Sequence, residues 1–187
     1  MSFYFTRNNG QVFRCNLQCL RCAGNTKAGR RCARNTCKYL PLCFQHLKAT
    51  GLQVKPSNIP NAGDGLFTTR QRARHELIGV YEGEVLSNHA LIQRYGTHAA
   101  PFAFRPKKDY NIDAACRRCT TAYINDPRGS QFTANVRFVI SFHNDTTRVT
   151  VRTTKAIQAN QELFIPYDNF YWQGTHGTYI TKRWKFR

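Results

Sequence analysis

Residues 161–168 read Gln-Glu-Leu-Phe-Ile-Pro-Tyr-Asp, and 170–172 follow as Phe-Tyr-Trp. Three other landmarks precede this segment in fixed order. Tyr110-Asn-Ile-Asp-Ala114 leads into Ala122-Tyr-Ile-Asn125-Asp126-Pro127 and then Ala134-Asn135-Val136. Before it stands Tyr81-Glu82-Gly83-Glu84, behind a strand-like run, and about fifteen residues earlier Ala62-Gly63-Asp64-Gly65-Leu66-Phe67. A lone G-x-G is weak evidence, because glycine pairs are most often simply turns. The order and spacing of all four pieces over most of the chain carry much more.

Around these landmarks the chain reads as mostly β with little helix. Leu52-Gln-Val54-Lys, Ile78–Tyr81, Phe132–Phe142 and Val149–Thr153 are strand-like runs separated by Gly, Asn, Asp and Pro. One helix is predicted from Ser87, a good N-cap, to about Tyr95, with Gly96 ending it. A length of 187 residues allows one ordinary domain with a small appendage. The composition shifts near Thr50, which divides the chain into residues 1–50, 51–172 and a basic, aromatic tail at 173–187. No apolar run approaches the roughly 20 residues that span a bilayer, and Met1–Gly10 lack the apolar stretch of a signal peptide. An intracellular protein with no membrane partner is expected.

Six of the eight cysteines fall between Cys15 and Cys43, in the pattern C-x3-C-x2-C-x9-C-x4-C-x5-C-x2-H ending at His46. Without a secretion signal, clustered cysteines point to a metal before disulfides. The segment has too few apolar residues for a core of its own, so zinc binding would supply the missing folding free energy. Cys22, Cys32, Cys43 and His46 are the expected site. The stretch CAGNTKAGRRC followed by LCFQH resembles small zinc-binding modules written C-x-G-x-T-K-x-G-x-x-C with a downstream C-x2-H. Cys15, Cys19 and Cys37 remain as free thiols or further ligands. Cys116 and Cys119 are a metal half-site or two buried or free thiols, the latter being favoured.

The formal net charge is +18, and all ten carboxylates lie between Asp64 and Asp168. Two purely basic ends suit contact with nucleic acid or another polyanion. A solvated basic surface that only maintains solubility is the plainer reading, but the charge exceeds what solubility requires.

Together the four landmarks resemble a SET domain, which shows a G-x-G near its start, then Y-x-G, then I-D-A running into R-F-I-N-H-S with a later P-N, and finally G-E-E-L with a tyrosine five residues after the second Glu. The likeness runs from about Val54 to Trp172. It implies a β-clip closed by a C-terminal pseudoknot, with Tyr123–Asp126 threading beneath Leu163–Tyr167. It also implies an S-adenosylmethionine-dependent protein-lysine N-methyltransferase acting on a basic protein such as a histone or histone-like tail. Gly63, Asp64, Gly65 and Leu66 would seat the cofactor, with Tyr123, Asn125, Asp126 and Trp172. Tyr167 would be the catalytic hydroxyl and Tyr81 its counterpart across the site, while Ile165, Phe170 and Tyr171 would line the lysine channel. A tyrosine suits both tasks, since its hydroxyl can steer an amine and its ring face attracts a cation. The lack of any long interruption and the Tyr-Asp-x-x-Tyr-Trp ending look most like the minimal SET proteins of large DNA viruses, which would place the chain in a host nucleus, a viral factory or a virion.

Three departures bear on function. Asn125-Asp126-Pro127 stands where the family has Asn-His-Ser, and no cysteine cluster follows Tyr167. Ile165 occupies the family's Phe/Tyr switch position, so more than one methyl is predicted to be added. A competing reading takes the chain as a weakly active or inactive SET scaffold that binds nucleic acid or chromatin. Methylation of a ribosomal or translation protein is a third. The residues leave the oligomeric state open.

Overall fold

The computed structural model describes residues 3–6, 12–15, 17–36, 38–96, 100–144, 146–168 and 171; Cys37, Phe170, Trp172 and the tail at 173–187 lie outside them. The architecture is a set of small antiparallel sheets with little helix. Strands β1 (Phe3–Thr6) and β2 (Val12–Cys15) form a hairpin, as do β3 (Leu52–Pro56) and β4 (Asp64–Thr68). Strands β5 (Leu77–Val80), β9 (Val136–His143) and β10 (Thr146–Thr153) form a sheet of order β5-β10-β9. Strands β6 (Glu84–Leu86), β7 (Ala103–Lys107) and β8 (Tyr110–Asp113) form another, of order β6-β8-β7. Helix α1 spans Phe44–Ala49 and α2 spans Asn88–Tyr95, and Thr120–Tyr123 make one 3₁₀ turn. No described helix is long and apolar enough to cross a membrane.

Local chemistry explains several boundaries. Helix α2 starts where the Ser87 hydroxyl accepts the Ala90 amide at 3.1 Å, and it ends at Gly96, whose φ of +68° L side chains rarely adopt. Strand β7 contains Pro106, which donates no ladder hydrogen bond, and it sits at a sheet edge with its register broken between Phe104 and Lys107. Strand β9 begins at Val136 rather than at Phe132. The Asn135 and Val136 amides leave the ladder and donate to the Phe164 carbonyl at 3.0 and 3.1 Å, while Phe132 stacks on the Phe164 ring with centroids 5.0 Å apart.

The segment 162–167 closes the fold in a knot-like crossing. Its Leu163 amide donates to the Leu66 carbonyl of β4 at 2.8 Å, and its Ile165 amide donates to the Asn125 carbonyl at 3.0 Å. Asn125 and Phe164 thereby form a parallel bridge. The Asn135 side chain fastens the crossing, accepting the Phe164 amide at 2.8 Å and donating to the Glu162 carbonyl at 2.8 Å. Leu66, Val151 and Leu163 are wholly buried around this crossing, together with Ile124 and Ile165. Burial of each such side chain contributes about 1.5–3 kcal/mol relative to exposure.

The cysteine-rich segment shares this core, because Leu40 and Leu47 pack in the same cluster as Leu52, Leu66 and Leu163. The buried Arg72 guanidinium ties the junction by donating to the Thr50 and Gly51 carbonyls at 3.0 and 2.8 Å. One expectation is overturned. Cys15 and Cys116, 101 residues apart, form a disulfide, so Cys15 is neither a free thiol nor a further metal ligand. Cys116 likewise is neither a free thiol nor half of a metal site. Strand β2 carries Cys15 into a cluster with Leu17, Tyr95 and Ala115, beside the loop that bears Cys116. Cys119 is a buried free thiol, and Cys19 is an exposed one.

Candidate active site and metal centre

Tyr167 is held at both ends by the threading segment. Its amide donates to Asp126 Oδ2 at 2.8 Å, and its hydroxyl donates to the Ile124 carbonyl at 2.8 Å. The other Asp126 oxygen accepts the Arg128 amide at 2.7 Å. The acid that replaces the expected histidine is thus a main-chain cap linking the two strands of the crossing. Tyr167 as a residue is half-buried. Burial pushes its phenol well above the ordinary range, and Tyr171 and the Asp126 carboxylate add to the shift.

Tyr167 faces a cavity of about 60 Å³. Tyr81, Phe104, Phe138, Ile165 and Tyr171 share its walls. Two of the ring pairs pack edge to face. Tyr81 and Phe138 centroids are 5.3 Å apart, and those of Tyr167 and Tyr171 are 4.5 Å apart. The Tyr81 hydroxyl donates to the Phe102 carbonyl at 2.6 Å, and burial raises its pKa well above the usual value. Neither phenol ionises near neutral pH, so neither serves as a strong base there. What this enclosure can do is receive a slim cationic or amine-bearing chain between π faces and meet it with a fixed hydroxyl.

Glu84 pairs with Arg94 at 2.8 Å and Asp126 caps the Tyr167 amide, while Asp168 is the carboxylate among the residues lining the cavity, and its Oδ1 accepts the Tyr171 amide at 2.9 Å. Its only sequence signal was its place beside Tyr167. Asp113 of the Ile-Asp-Ala motif is fully buried and accepts Arg94 Nη1 at 2.7 Å and the Tyr95 hydroxyl at 2.8 Å, docking α2 on β8. Gly83 is demanded by the same strand, since a Cβ there would stand 2.3 Å from the Asp113 carbonyl oxygen.

The Gly63-Asp64-Gly65 turn enters β4 beside Asn125, whose Nδ2 donates to the Asp64 carbonyl at 3.0 Å. Gly63 has φ +75°, and Leu66 is wholly buried. A Cβ on Gly65 would stand 2.1 Å from Glu162 Oε1. That carboxylate is buried, with Oε1 accepting the Ser57 hydroxyl at 2.6 Å and Oε2 accepting the Asn58 amide at 2.7 Å. The Tyr123 hydroxyl donates to the Lys38 carbonyl, and burial pushes its phenol up to about 12, against the opposing effect of Arg118. Two residues expected at this site, Phe170 and Trp172, lie outside the described residues.

Cys22, Cys32, Cys43 and His46 present their donor atoms within 4.8 Å of one another, and the three cysteines are buried. His46 Nδ1 lies 3.3 Å from Cys22 Sγ and 3.5 Å from Cys43 Sγ. A zinc tetrahedron with its usual bond lengths has sulfur–nitrogen edges of about 3.5 Å, so the set fits that ion. His46 Nε2 is 2.8 Å from the Asn25 carbonyl, which orients Nδ1 toward the sulfurs. Burial works to raise the Cys22 thiol, but the Cys43 and Gly24 amides and His46 outweigh it and bring it down to about 6. Cys19 stands apart, and Cys37 lies outside the described residues.

Comparison with known proteins identifies the domain. Residues 63–168, more than half of the chain, match the family model of the SET domain, and the chain belongs to that family. It is 29% identical over 109 residues to the histone-lysine N-methyltransferase EZA1 of Arabidopsis thaliana, a match covering 57% of this chain but only 12% of that one. Among solved structures it resembles the polycomb repressive complex 2 of Chaetomium thermophilum, with a TM-score of 0.55 and 23% identity over 66% of this chain and 16% of that one. A humanized mutant of the same complex, bound to an inhibitor, gives 0.52 and 26% identity over 62% and 14%. The complex in an autoinhibited state bound to S-adenosylmethionine gives 0.53 and 23% over 63% and 15%. At identities this low the structural likeness speaks for the fold.

Proposed function

We propose that this SET-domain protein is an S-adenosylmethionine-dependent protein-lysine N-methyltransferase whose substrate is a basic tail of the histone type. One observation carries the reading: a tyrosine hydroxyl is fixed by the Ile124 carbonyl at the inner wall of an aromatic cavity, beside the closing crossing. When bound, S-adenosylmethionine supplies an electrophilic methyl group on a sulfonium. The chain's own task is then to bring in a neutral amine along one line, and orientation alone can supply several kcal/mol of that barrier. Tyr81, Phe104, Phe138 and Tyr171 enclose the lysine side chain, and their ring faces favour its entry as a cation. The Tyr167 hydroxyl can accept as well as donate a hydrogen bond, which suits it to orient the amine and favour positive charge near the reacting carbon. Both phenols stay protonated, so the lysine loses its proton toward water rather than to a tyrosinate. Gly63, Asp64, Gly65, Leu66, Tyr123, Asn125 and Asp126 would hold the cofactor.

Finer parts of the reading rest on particular residues. Ile165 is buried against the cavity and bears no hydroxyl to restrain the amine, which favours adding more than one methyl. Zinc held by Cys22, Cys32, Cys43 and His46 would be structural, with no open position for chemistry. Asp168 offers the incoming basic tail an attractive charge, despite the protein's own positive net. A chromatin-type substrate implies a nuclear or viral-factory setting, and the compact SET segment favours the likeness to minimal viral SET proteins.

A second reading, a nucleic-acid-binding scaffold, draws on one feature. Arg21, Lys27, Arg30, Arg31, Arg34 and Lys48 are all exposed on a segment without a single carboxylate. Transfer of labelled methyl from S-adenosylmethionine to core histones decides between the two, run on wild type and Tyr167→Phe with zinc retained. Label that collapses by on the order of a hundredfold or more in the variant supports the enzyme. Absence of both label and cofactor binding in wild type leaves the scaffold.

A further inference from the structure

We propose that Lys38 and Asp64 together form the receptor for the zwitterionic amino-acid end of the cofactor, so that the cysteine-rich segment furnishes part of the cofactor site. The inference rests on reading the Gly63–Gly65 turn as the cofactor's seat. Lys38 Nζ lies 2.6 Å from both Asp64 oxygens, which places a cation from the first fifty residues directly on that turn. Its backbone is held there at a cost. Lys38 and Tyr39 are consecutive non-glycine residues with φ of 54° and 60°, a conformation L residues avoid. The Tyr123 hydroxyl, donating to the Lys38 carbonyl, and the buried Leu40 hold this turn against the threading segment.

The ion pair itself adds little to stability. The two side chains are 39% and 24% exposed, and an ion pair that open to water contributes little. With the turn held by Tyr123 and Leu40, the Lys38 and Asp64 side chains are left to a ligand that uses both charges. The methionine end of the cofactor carries an α-ammonium and a carboxylate on one carbon. Asp64 suits the first and Lys38 the second, and the exchange leaves the net charge of the site unchanged. Asn125 braces Asp64 through its main-chain carbonyl at 3.0 Å, leaving the carboxylate to the ligand.

Three ligands that differ at this end test the assignment by calorimetry on the full chain with zinc retained. They are S-adenosyl-L-homocysteine, its decarboxylated counterpart, and methylthioadenosine, which lacks both charged groups. Loss of a charge-assisted contact predicts that Lys38→Met weakens the first by roughly 10- to 100-fold and leaves the other two within about twofold. Asp64→Asn should weaken the first two and spare methylthioadenosine, and Lys38→Arg should restore part of the loss. The retained binding of methylthioadenosine shows that each variant is folded. Equal effects of Lys38→Met on all three ligands, or no effect on any, would overturn the assignment. Wild type that binds none of them sinks the methyltransferase reading as well.

Discussion

Gly65→Ala tests whether this glycine is required by the protein itself rather than only by a ligand. Gly65 lies in β4 without a left-handed φ, so alanine meets no backbone strain there. The obstacle is Glu162, whose Oε1 would be 2.1 Å and Cδ 2.8 Å from the new methyl. Relief requires the carboxylate to move by about 1 Å, since ordinary carbon–oxygen contacts are well over 3 Å. Such a shift breaks the bonds from Ser57 and Asn58 at 2.6 and 2.7 Å. Hydrogen bonds to a charged group contribute about 1.5–3 kcal/mol each, and partial relaxation leaves a net cost of about 3–4 kcal/mol. For a chain of this size that lowers Tm by roughly 6–15 °C. Urea unfolding of wild type, Gly65→Ala, Glu162→Ala and the double variant isolates the contact. In the Glu162→Ala background the methyl finds space, so Gly65→Ala should cost less than about 1 kcal/mol there, a coupling of about 2–3 kcal/mol. Additive costs would refute the reasoning. So would a Gly65→Ala protein of wild-type stability that merely fails to bind cofactor.

Asp126→Ala should lower kcat by on the order of 10- to 100-fold while Tm falls by only a few degrees, because the Tyr167 amide loses its cap and the hydroxyl drifts; Asp126→Asn, which keeps one acceptor, should fall between, as steady-state kinetics beside thermal unfolding will show. Burial pulls the Glu76 carboxyl upward, but the Ala73 amide and the Arg72 and Arg70 guanidiniums outweigh it and hold it down at about 2. A depressed carboxylate contributes stability that is present above its ordinary value near 4.5 and is lost as pH falls toward 2. Glu76→Gln should therefore cost about 1–2 kcal/mol at pH 7, with the two unfolding curves converging by about pH 2. Selective loss of the Cys15–Cys116 disulfide, made with Cys15→Ser, should lower stability by about 2–4 kcal/mol given the long loop it closes, measured against the oxidised wild type with zinc present in both.

Local patterns made some of this molecule readable in one dimension. Ser87 and Gly96 marked the ends of α2 because capping is decided within a turn of the chain. The clustering of Cys22, Cys32, Cys43 and His46 was readable because short turns bring them together. Contacts between distant segments were not. Nothing near Cys15 or Cys116 announces a partner 101 residues away, since only the packing of β2 against the Ala115 loop creates the bond. Phe132 had strand chemistry, but the Asn135 and Val136 amides were claimed by Phe164, so residues 132–135 stay irregular and the strand starts at Val136. Gly83 and Gly65 were noticed as glycines in motifs, yet their reasons, the Asp113 carbonyl and the Glu162 carboxylate, exist only once distant strands have met. The same holds for Asp126, which looked like a substitution at a cofactor motif and is in space a clamp on Tyr167.

The parallel bridge between Asn125 and Phe164 also sets a schedule. Non-local pairings form late, after closure entropy has been met, and a chain made from its N-terminus delivers 162–167 after every strand it crosses. The hydroxyl of Tyr167 and the ceiling of its cavity therefore come into existence together, in one of the last steps of assembly. A nascent or clipped chain that ends short of this segment would have its Cys/His cluster and all ten described strands and yet neither Tyr167 nor the wall it gives the cavity. Under the methyltransferase reading proposed above, turnover would thus double as a certificate that synthesis and folding had run to the far end of the crossing.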